Sequence, residues 1–486
     1  MASRRRFLLG CAATAGGLAV NLPFVFSRTA KAATFGPLVP DPEGVLDLPE
    51  GFTYAILQTR GDAMSDGYVV PSRPDGMACF EGTGGTWILM RNHENDDGGG
   101  AYPDGDAPAE AWDPDSFGGV SRLVIDPATL TVVSSNLVLT GTRRNCAGGP
   151  SPWGWLTCEE NVDANHGFVF LCDPEAETVQ MPVQIPGYGR FNHEAVAIDP
   201  ATNVAYLTED RNPGGLYRFV PDEPGDPFAG QLQAMVVVGT DRFDTGTMAV
   251  GDVVTIDWVD IDEPNPALDT IRTEAFAAGA AEIHRGEGIW FADGTVYVCS
   301  TNGGPVEGGQ IFALRDDGRE LELLAMSEDR ELLDMPDNIT VAPSGDIYMA
   351  EDGSGEQFIR ILEPDGAVSD FARNAISSSE MAGVCFSPDG TTLFVNIQGN
   401  GLTLAITGPF GIDRPGSPDA GVPVADAGVG GDGSVGADGG MASGDDGCGC
   451  TTPGAGGSSS GGIAAAGLVA GVALRRAGRT TDPELE

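Results

Sequence analysis

A short apolar strand, a turn rich in Pro, Gly and Asp, and a second strand ending in polar residues recur six times between residues 76 and 395 of this 486-residue chain. The copies are Gly76-Met77-Ala78-Cys79-Phe80 with Trp87-Ile88-Leu89-Met90, Cys146-Ala147-Gly148 with Trp155-Leu156-Thr157-Cys158, and Ala195-Val196-Ala197-Ile198 with Val204-Ala205-Tyr206-Leu207. They continue in Gly288-Ile289-Trp290-Phe291 with Val296-Tyr297-Val298-Cys299, Ile339-Thr340-Val341 with Ile347-Tyr348-Met349, and Gly383-Val384-Cys385-Phe386 with Leu393-Phe394-Val395. Apolar runs of this length returning through turn residues read as hairpins. A second hairpin follows five of them, for example at Leu216-Tyr217-Arg218-Phe219-Val220. Two hairpins make a four-stranded antiparallel blade, so the expectation is an all-β, six-bladed β-propeller, closed by Phe52-Thr53-Tyr54-Ala55-Ile56-Leu57 or by Leu402-Thr403-Leu404-Ala405-Ile406. A β-sandwich of irregular hairpins is the alternative.

The ends of the chain read differently. Ser3-Arg4-Arg5-Arg6-Phe7-Leu8, a Gly/Ala-rich apolar stretch and Ala30-Lys31-Ala32 form a twin-arginine export signal over residues 1–32, recognised by the twin-arginine machinery. The folded part is expected over 33–410, with an insertion at 239–284 read as a lid over the rim. Residues 411–460 have a Gly/Asp/Ser-rich composition that cannot bury enough surface to fold, and so read as a disordered linker. In 461–486 an apolar run precedes Arg475-Arg476. Together with Cys448-Gly449-Cys450, this tail resembles the C-terminal sorting segment of myxobacterial surface proteins, which implies attachment to a membrane or cell surface through that segment alone. The expected location is periplasmic, cell-surface or secreted.

Charge narrows the function. The chain carries 71 Asp+Glu against 26 Lys+Arg, a formal charge of -45, which excludes attraction to nucleic acid phosphates. With only 4 His, metal chemistry here must be oxygen-rich. In a propeller, the start of each first strand and the end of each second strand meet on one rim. Those points read Asn92-His93-Glu94, Glu159-Glu160-Asn161, Glu209-Asp210-Arg211 and Glu351-Asp352 at second-strand ends, and Asn145-Cys146, His193-Glu194, Glu287 and Asp337-Asn338 at first-strand starts. Carboxylates gathered about one axis raise each other's pKa unless cations neutralise them, so a metal cluster is the natural resolution. His93, His193 and His284 also fall near the rim, as proton relays or as structural hydrogen-bonding groups.

The run Asn145-Cys146-Ala147-Gly148-Gly149-Pro150-Ser151-Pro152-Trp153-Gly154-Trp155-Leu156-Thr157-Cys158-Glu159-Glu160 resembles the signature of PhoX-type alkaline phosphatases, which are exported, iron- and calcium-dependent β-propeller enzymes. Arg91-Asn92-His93-Glu94, Asn192-His193-Glu194, Arg285-Gly286-Glu287-Gly288 and Pro336-Asp337-Asn338-Ile339 agree with it. The resemblance implies hydrolysis of small-molecule phosphomonoesters by a metal-bound oxide or hydroxide. It implies that Cys146 gives a thiolate to Fe3+, that Glu194 and Glu287 give carboxylates to the cluster, and that Arg285 grips phosphate oxygens. Ca2+ would take oxygens from Glu160, Glu209, Asp210, Asp337 and Glu351. Asn92 joins Arg285 and Cys146 as a catalytic candidate. The rival expectations are a calcium-dependent lactonase or phosphodiesterase, and a non-catalytic calcium-binding surface propeller.

Overall fold

The computed structural model describes residues 34–411 with the exception of 104. The twin-arginine signal, the linker and the C-terminal sorting segment therefore lie outside the described residues. The fold is all-β apart from one short α-helix, Ile271–Ala277, and three 3-10 turns. No helix among the described residues is long and apolar enough to cross a membrane.

The strands form five hydrogen-bonded sheets. Two are four-stranded antiparallel meanders in simple order: Pro74–Glu81, Trp87–His93, Gly118–Asp126 and Thr131–Thr142, then Asn145–Ser151, Gly154–Glu159, Val169–Cys172 and Val183–Gln184. A third four-stranded sheet comprises Met381–Phe386, Thr392–Ile397, Leu402–Thr407 and, as its outermost strand, Thr53–Thr59. Thus both candidate closing segments are used, paired side by side with Ala405 opposite Ala55. The sheet of Pro336–Val341, Ile347–Glu351, Phe358–Leu362 and Val368–Asn374 is extended to six strands by Leu46–Pro49 and Leu38–Val39 from the N-terminal side.

The expectation of six separate four-stranded blades is corrected by the remaining sheet. Four blade-like sheets are joined by one sheet of nine strands. Its centre is Val253–Asp260, within the segment read as a lid. This strand pairs on one side with Asp226–Val237 (Ala234 opposite Val259) and on the other with Glu320–Met326 (Val254 opposite Leu321), welding two meanders into one continuous ladder. The sheet folds back so that its two end strands, His193–Ile198 and Gly286–Ala292, pack against each other, and it is nearly closed. Unpaired edges expose backbone donors and acceptors, and an inserted strand satisfies two edges at once. The rest of the insertion is anchored as well: helix Ile271–Ala277 buries Ile271 and Ala275 in the core.

The innermost strands of these sheets lie side by side in the order Pro74–Glu81, Asn145–Ser151, His193–Ile198, Gly286–Ala292, Pro336–Val341, Met381–Phe386, and back to the first. Their spacing is tight because side chains are missing where backbones meet. A Cβ on Gly149 would lie 1.7 Å from the Val196 carbonyl oxygen, one on Gly288 2.4 Å from that of Asp337, and one on Gly383 2.2 Å from that of Asp75. Between the strands there remains a cavity of only about 20 Å³. Around this centre the apolar faces of neighbouring sheets pack as separate clusters. The seam of the last two sheets, for instance, is filled by Phe52, Phe371, Tyr348, Phe386 and Phe410 in edge-on contacts such as Phe52 to Phe371 at 5.1 Å and 87°.

Replacing Gly149 with Ala forces a methyl group into backbone that cannot yield. The expected result is a loss of about 1–3 kcal/mol or more of stability, read as a lowered thermal unfolding midpoint. An unchanged midpoint would show that the inner strands are not in backbone contact there.

Candidate metal centre

One irregularity recurs in all six inner strands and builds the site. Each pairs regularly with its neighbour except for a register shift close to its head: between Pro74 and Met77, Asn145 and Gly148, His193 and Val196, Gly286 and Ile289, Pro336 and Ile339, and Ala382 and Cys385. A bulge of this kind bends the strand and re-aims a side chain. The residues inside the six bulges include Asp75, Cys146, Glu194, Glu287, Asp337 and Gly383. Five of the six therefore bring a thiol or a carboxylate, and all five come together.

Three groups have ligand atoms within 4.8 Å of one another: Asp75, Glu94 and Cys146; Cys146, Glu160 and Glu194; Glu194, Glu287 and Asp337. Shared members make them one continuous nest. Glu94 and Glu160 come from a second set of equivalent positions just past the neighbouring strands. The amide N–H groups of Glu94, Glu160, Asp210, Thr301 and Asp352 each donate to the carbonyl of the residue preceding an inner strand: Arg73, Arg144, Asn192, Arg285 and Met335. Three of these preceding residues are arginines, at φ of 48°, 48° and 52°. The left-handed turn lifts each guanidinium to the edge of the nest. Arg285 pairs through Nε with Asp210 Oδ1 (2.8 Å) and through Nη2 with Asp210 Oδ2 (3.1 Å) and Glu287 Oε1 (2.6 Å). Arg144 reaches Glu160 at 2.6 Å and Glu94 at 3.2 Å. Cys146 Sγ donates to Glu160 Oε2 at 3.2 Å.

The electrostatics of the nest are strained toward protonation. Burial, and then the charges of Asp337, Glu160 and Asp75, push Glu194 well above its ordinary value. Burial, followed by neighbouring carboxylates, does the same to Asp75 and Glu287, and burial leads in lifting Glu160 and Asp337 to about 7. Cys146 is held up by burial and by Glu194. Farther along the rim, burial and Asp352 raise Glu380 to about 11. Asp75 Oδ1 is buried without a hydrogen-bond partner among the described residues. A buried acceptor with no donor, in a set of acids that repel, is what a site for cations requires. One thiol among carboxylates makes a donor set that could hold metal ions.

The nest includes Cys146, Glu160, Glu194, Glu287 and Asp337 from the sequence-derived set, with Arg285 and Asp210 at its edge. Glu209 and Glu351 stand apart from it. Successive strand side chains point to opposite faces, so residues one place before Asp210 and Asp352 face away from the axis. Glu209 accepts from the Gly215 amide (2.9 Å), the Tyr217 hydroxyl (3.0 Å) and Arg272 (2.5 Å), and Glu351 accepts from the Asp334 amide (2.8 Å) and Arg360 (2.9 Å). Asn92 also points elsewhere. Its Nδ2 donates to the carbonyls of Cys146 (3.1 Å) and Ala147 (2.7 Å), and its Oδ1 accepts from Trp155 Nε1 (2.8 Å), so it pins the bulge that presents Cys146. His93, His193 and His284 bond to groups outside the nest. Sequence reading missed Asp75, and it placed Glu94 on the rim without assigning it as a ligand. The signal for Asp75 is its alignment with Cys146, Glu194, Glu287 and Asp337, each one residue before a Gly, Ala or Asn.

Without cations, the raised carboxylates make the folded protein bind more protons than the unfolded chain. Their contribution is fully present below the ordinary values of 3.8 and 4.5 and is lost as pH rises through about 7. Chelator-treated protein should therefore unfold at a lower temperature at pH 8 than at pH 5.5, and added calcium should remove the difference. A metal-free protein whose stability does not fall with pH in this window would contradict the geometry of the nest.

Comparison with known proteins agrees with this architecture. The family model for alkaline phosphatase PhoX matches residues 33–137 and 127–401. Among solved structures, Pseudomonas fluorescens PhoX in complex with vanadate, a transition state analogue, is 19% identical with a TM-score of 0.62, over 78% of this chain and 98% of that one; it shows a shared fold. Weaker likenesses are a Bacteroides thetaiotaomicron protein of unknown function (11% identity, TM-score 0.42, 73% of this chain and 76% of that one) and a Xanthomonas campestris gluconolactonase (13%, 0.35, 78% and 99%). No curated protein matches. With most of its length matched by that one family model, the chain belongs to the alkaline phosphatase PhoX family.

Proposed function

We propose that this protein is an exported phosphatase that hydrolyses phosphomonoesters at the nest with ferric iron and calcium bound there. One observation carries the reading: five bulged strand heads deliver a thiol and four carboxylates to a single buried place, with a guanidinium at its edge. The vanadate held by the similar Pseudomonas fluorescens protein supports phosphoryl chemistry for this family. Cys146, Glu160 and Glu194 would hold iron, while Asp75, Glu94, Glu287 and Asp337 are hard donors for calcium. When bound, these cations supply Lewis acidity toward phosphoryl oxygens and a means of activating water.

The chain's own residues do the rest. Arg285 stays charged, because Glu287 and Asp210 raise its pKa despite burial, and its planar fork matches the equatorial oxygens of a phosphoryl group. Asn92 holds the Cys146 bulge in place through two backbone carbonyls. Export is supported by the pattern Ser3-Arg4-Arg5-Arg6-Phe7-Leu8, and attachment to a membrane or cell surface by the composition of 461–486.

Cys146→Ala and Glu287→Ala should each abolish hydrolysis of a synthetic phosphomonoester and lower the bound metal measured by elemental analysis, iron in the first case. Arg285→Ala should reduce turnover by about 100-fold or more while leaving metal content close to wild type. Wild-type turnover in either of the first two variants would overturn the site assignment.

A further inference from the structure

Arg285 stands on one side of the ring of inner strands, and two more arginines stand on the other. Arg73 precedes the strand three places away in that ring, and Arg144 precedes the strand beside it. Both adopt the same left-handed turn as Arg285, at φ 48°. Neither is buried: their side chains are 47% and 35% exposed. They wall a cavity of about 320 Å³ whose lining also includes Ser72, Glu94, Asp96 and Asp97.

This cavity adjoins the nest, because Glu94 belongs to both. Arg73 donates through Nε to the Glu94 carbonyl at 2.8 Å and through Nη2 to its carboxylate. Arg144 bonds the other Glu94 oxygen and Glu160. The Nη1 group of each arginine makes no hydrogen bond among the described residues, which leaves donors available toward the cavity. Asp96 and Asp97 are already drawn toward Arg144 at 3.8 Å and Arg143 at 3.3 Å. A phosphoryl group held over the nest would place its alcohol portion against one of the nest's open sides, and this side offers two guanidinium groups.

We propose that the Arg73–Arg144 cavity is a subsite for a second anionic group on the leaving alcohol, so that the preferred substrates are phosphomonoesters whose alcohol carries a carboxylate or a further phosphate. The inference rests on the phosphatase reading and deepens it. Paired guanidinium groups bind carboxylate and phosphate in forked geometry, whereas a neutral hydroxyl in the same place gains one weaker hydrogen bond.

The test is a ratio. With metal-loaded full-length protein, kcat/KM is measured for 3-phosphoglycerate and for glycerol 3-phosphate, which differ in a carboxylate against a neutral CH2OH. Wild type should favour 3-phosphoglycerate. Arg73→Gln should lower the ratio by about two- to fivefold, the scale of a partly exposed charge pair. The double variant Asp96→Asn, Asp97→Asn, which removes negative charge from the same cavity, should raise it. Any general loss from disturbing Glu94 cancels in the ratio. A ratio unmoved by Arg73→Gln, or moved in the same direction by both variants, overturns the subsite while leaving the phosphatase reading intact. Failure of wild type to hydrolyse either ester defeats the phosphatase reading, and the subsite falls with it.

Discussion

Everything at the functional end of this fold depends on a single backbone device, the bulge near the head of each innermost strand. A regular strand would send alternate side chains to opposite faces, where neighbouring strands cover them. By inserting an extra residue, the bulge frees one side chain per strand from that alternation and turns it toward the others. Repeated around a ring of strands, a local irregularity becomes a collective site. Gly383 occupies the sixth bulge, where a side chain would meet the Asp75 carbonyl. Five donors and one glycine are thus what the space beneath the rim accepts.

The same device sets the energetic problem. Burying several acids and a thiol together opposes ionisation, as the upward shifts of Asp75, Glu194 and Glu287 show. The three arginines offset part of this, but each also sits in a strained left-handed conformation, so their placement has a cost that the rest of the fold must cover. The tightly paired sheets supply that stability, with glycine contacts at the axis and apolar clusters between sheets. Rigidity at the centre and strain at the rim are consequences of one construction.

Much of the candidate site was legible in the chain. Cys146, Glu160, Glu194, Glu287 and Asp337 lie next to recognisable hairpins, and a run of ligand types at matched points does not need coordinates to be noticed. What could not be read was phase. Glu209 and Asp210, or Glu351 and Asp352, are adjacent acids, and choosing between them requires knowing which face each occupies. That depends on register, and a shift of one residue exchanges the faces. Glu209 turned out to satisfy Gly215, Tyr217 and Arg272 and belongs to no shared ligand group among the described residues. Asp75 was overlooked because the first hairpin reads most clearly from Gly76 onward, one residue after the bulge begins.

The sequence by itself determined that the chain is built from repeated antiparallel hairpins, that it is strongly acidic, and that it carries the Cys146 signature of its family, because periodicity, charge and short motifs are local properties. Only the tertiary structure decided how those hairpins connect. Val253–Asp260 looks like part of an insertion, yet it hydrogen-bonds on both edges and fuses two units into a nine-stranded sheet. Long-range pairing of this kind depends on which strand edges are left open when the chain closes on itself, and no stretch of sequence records that.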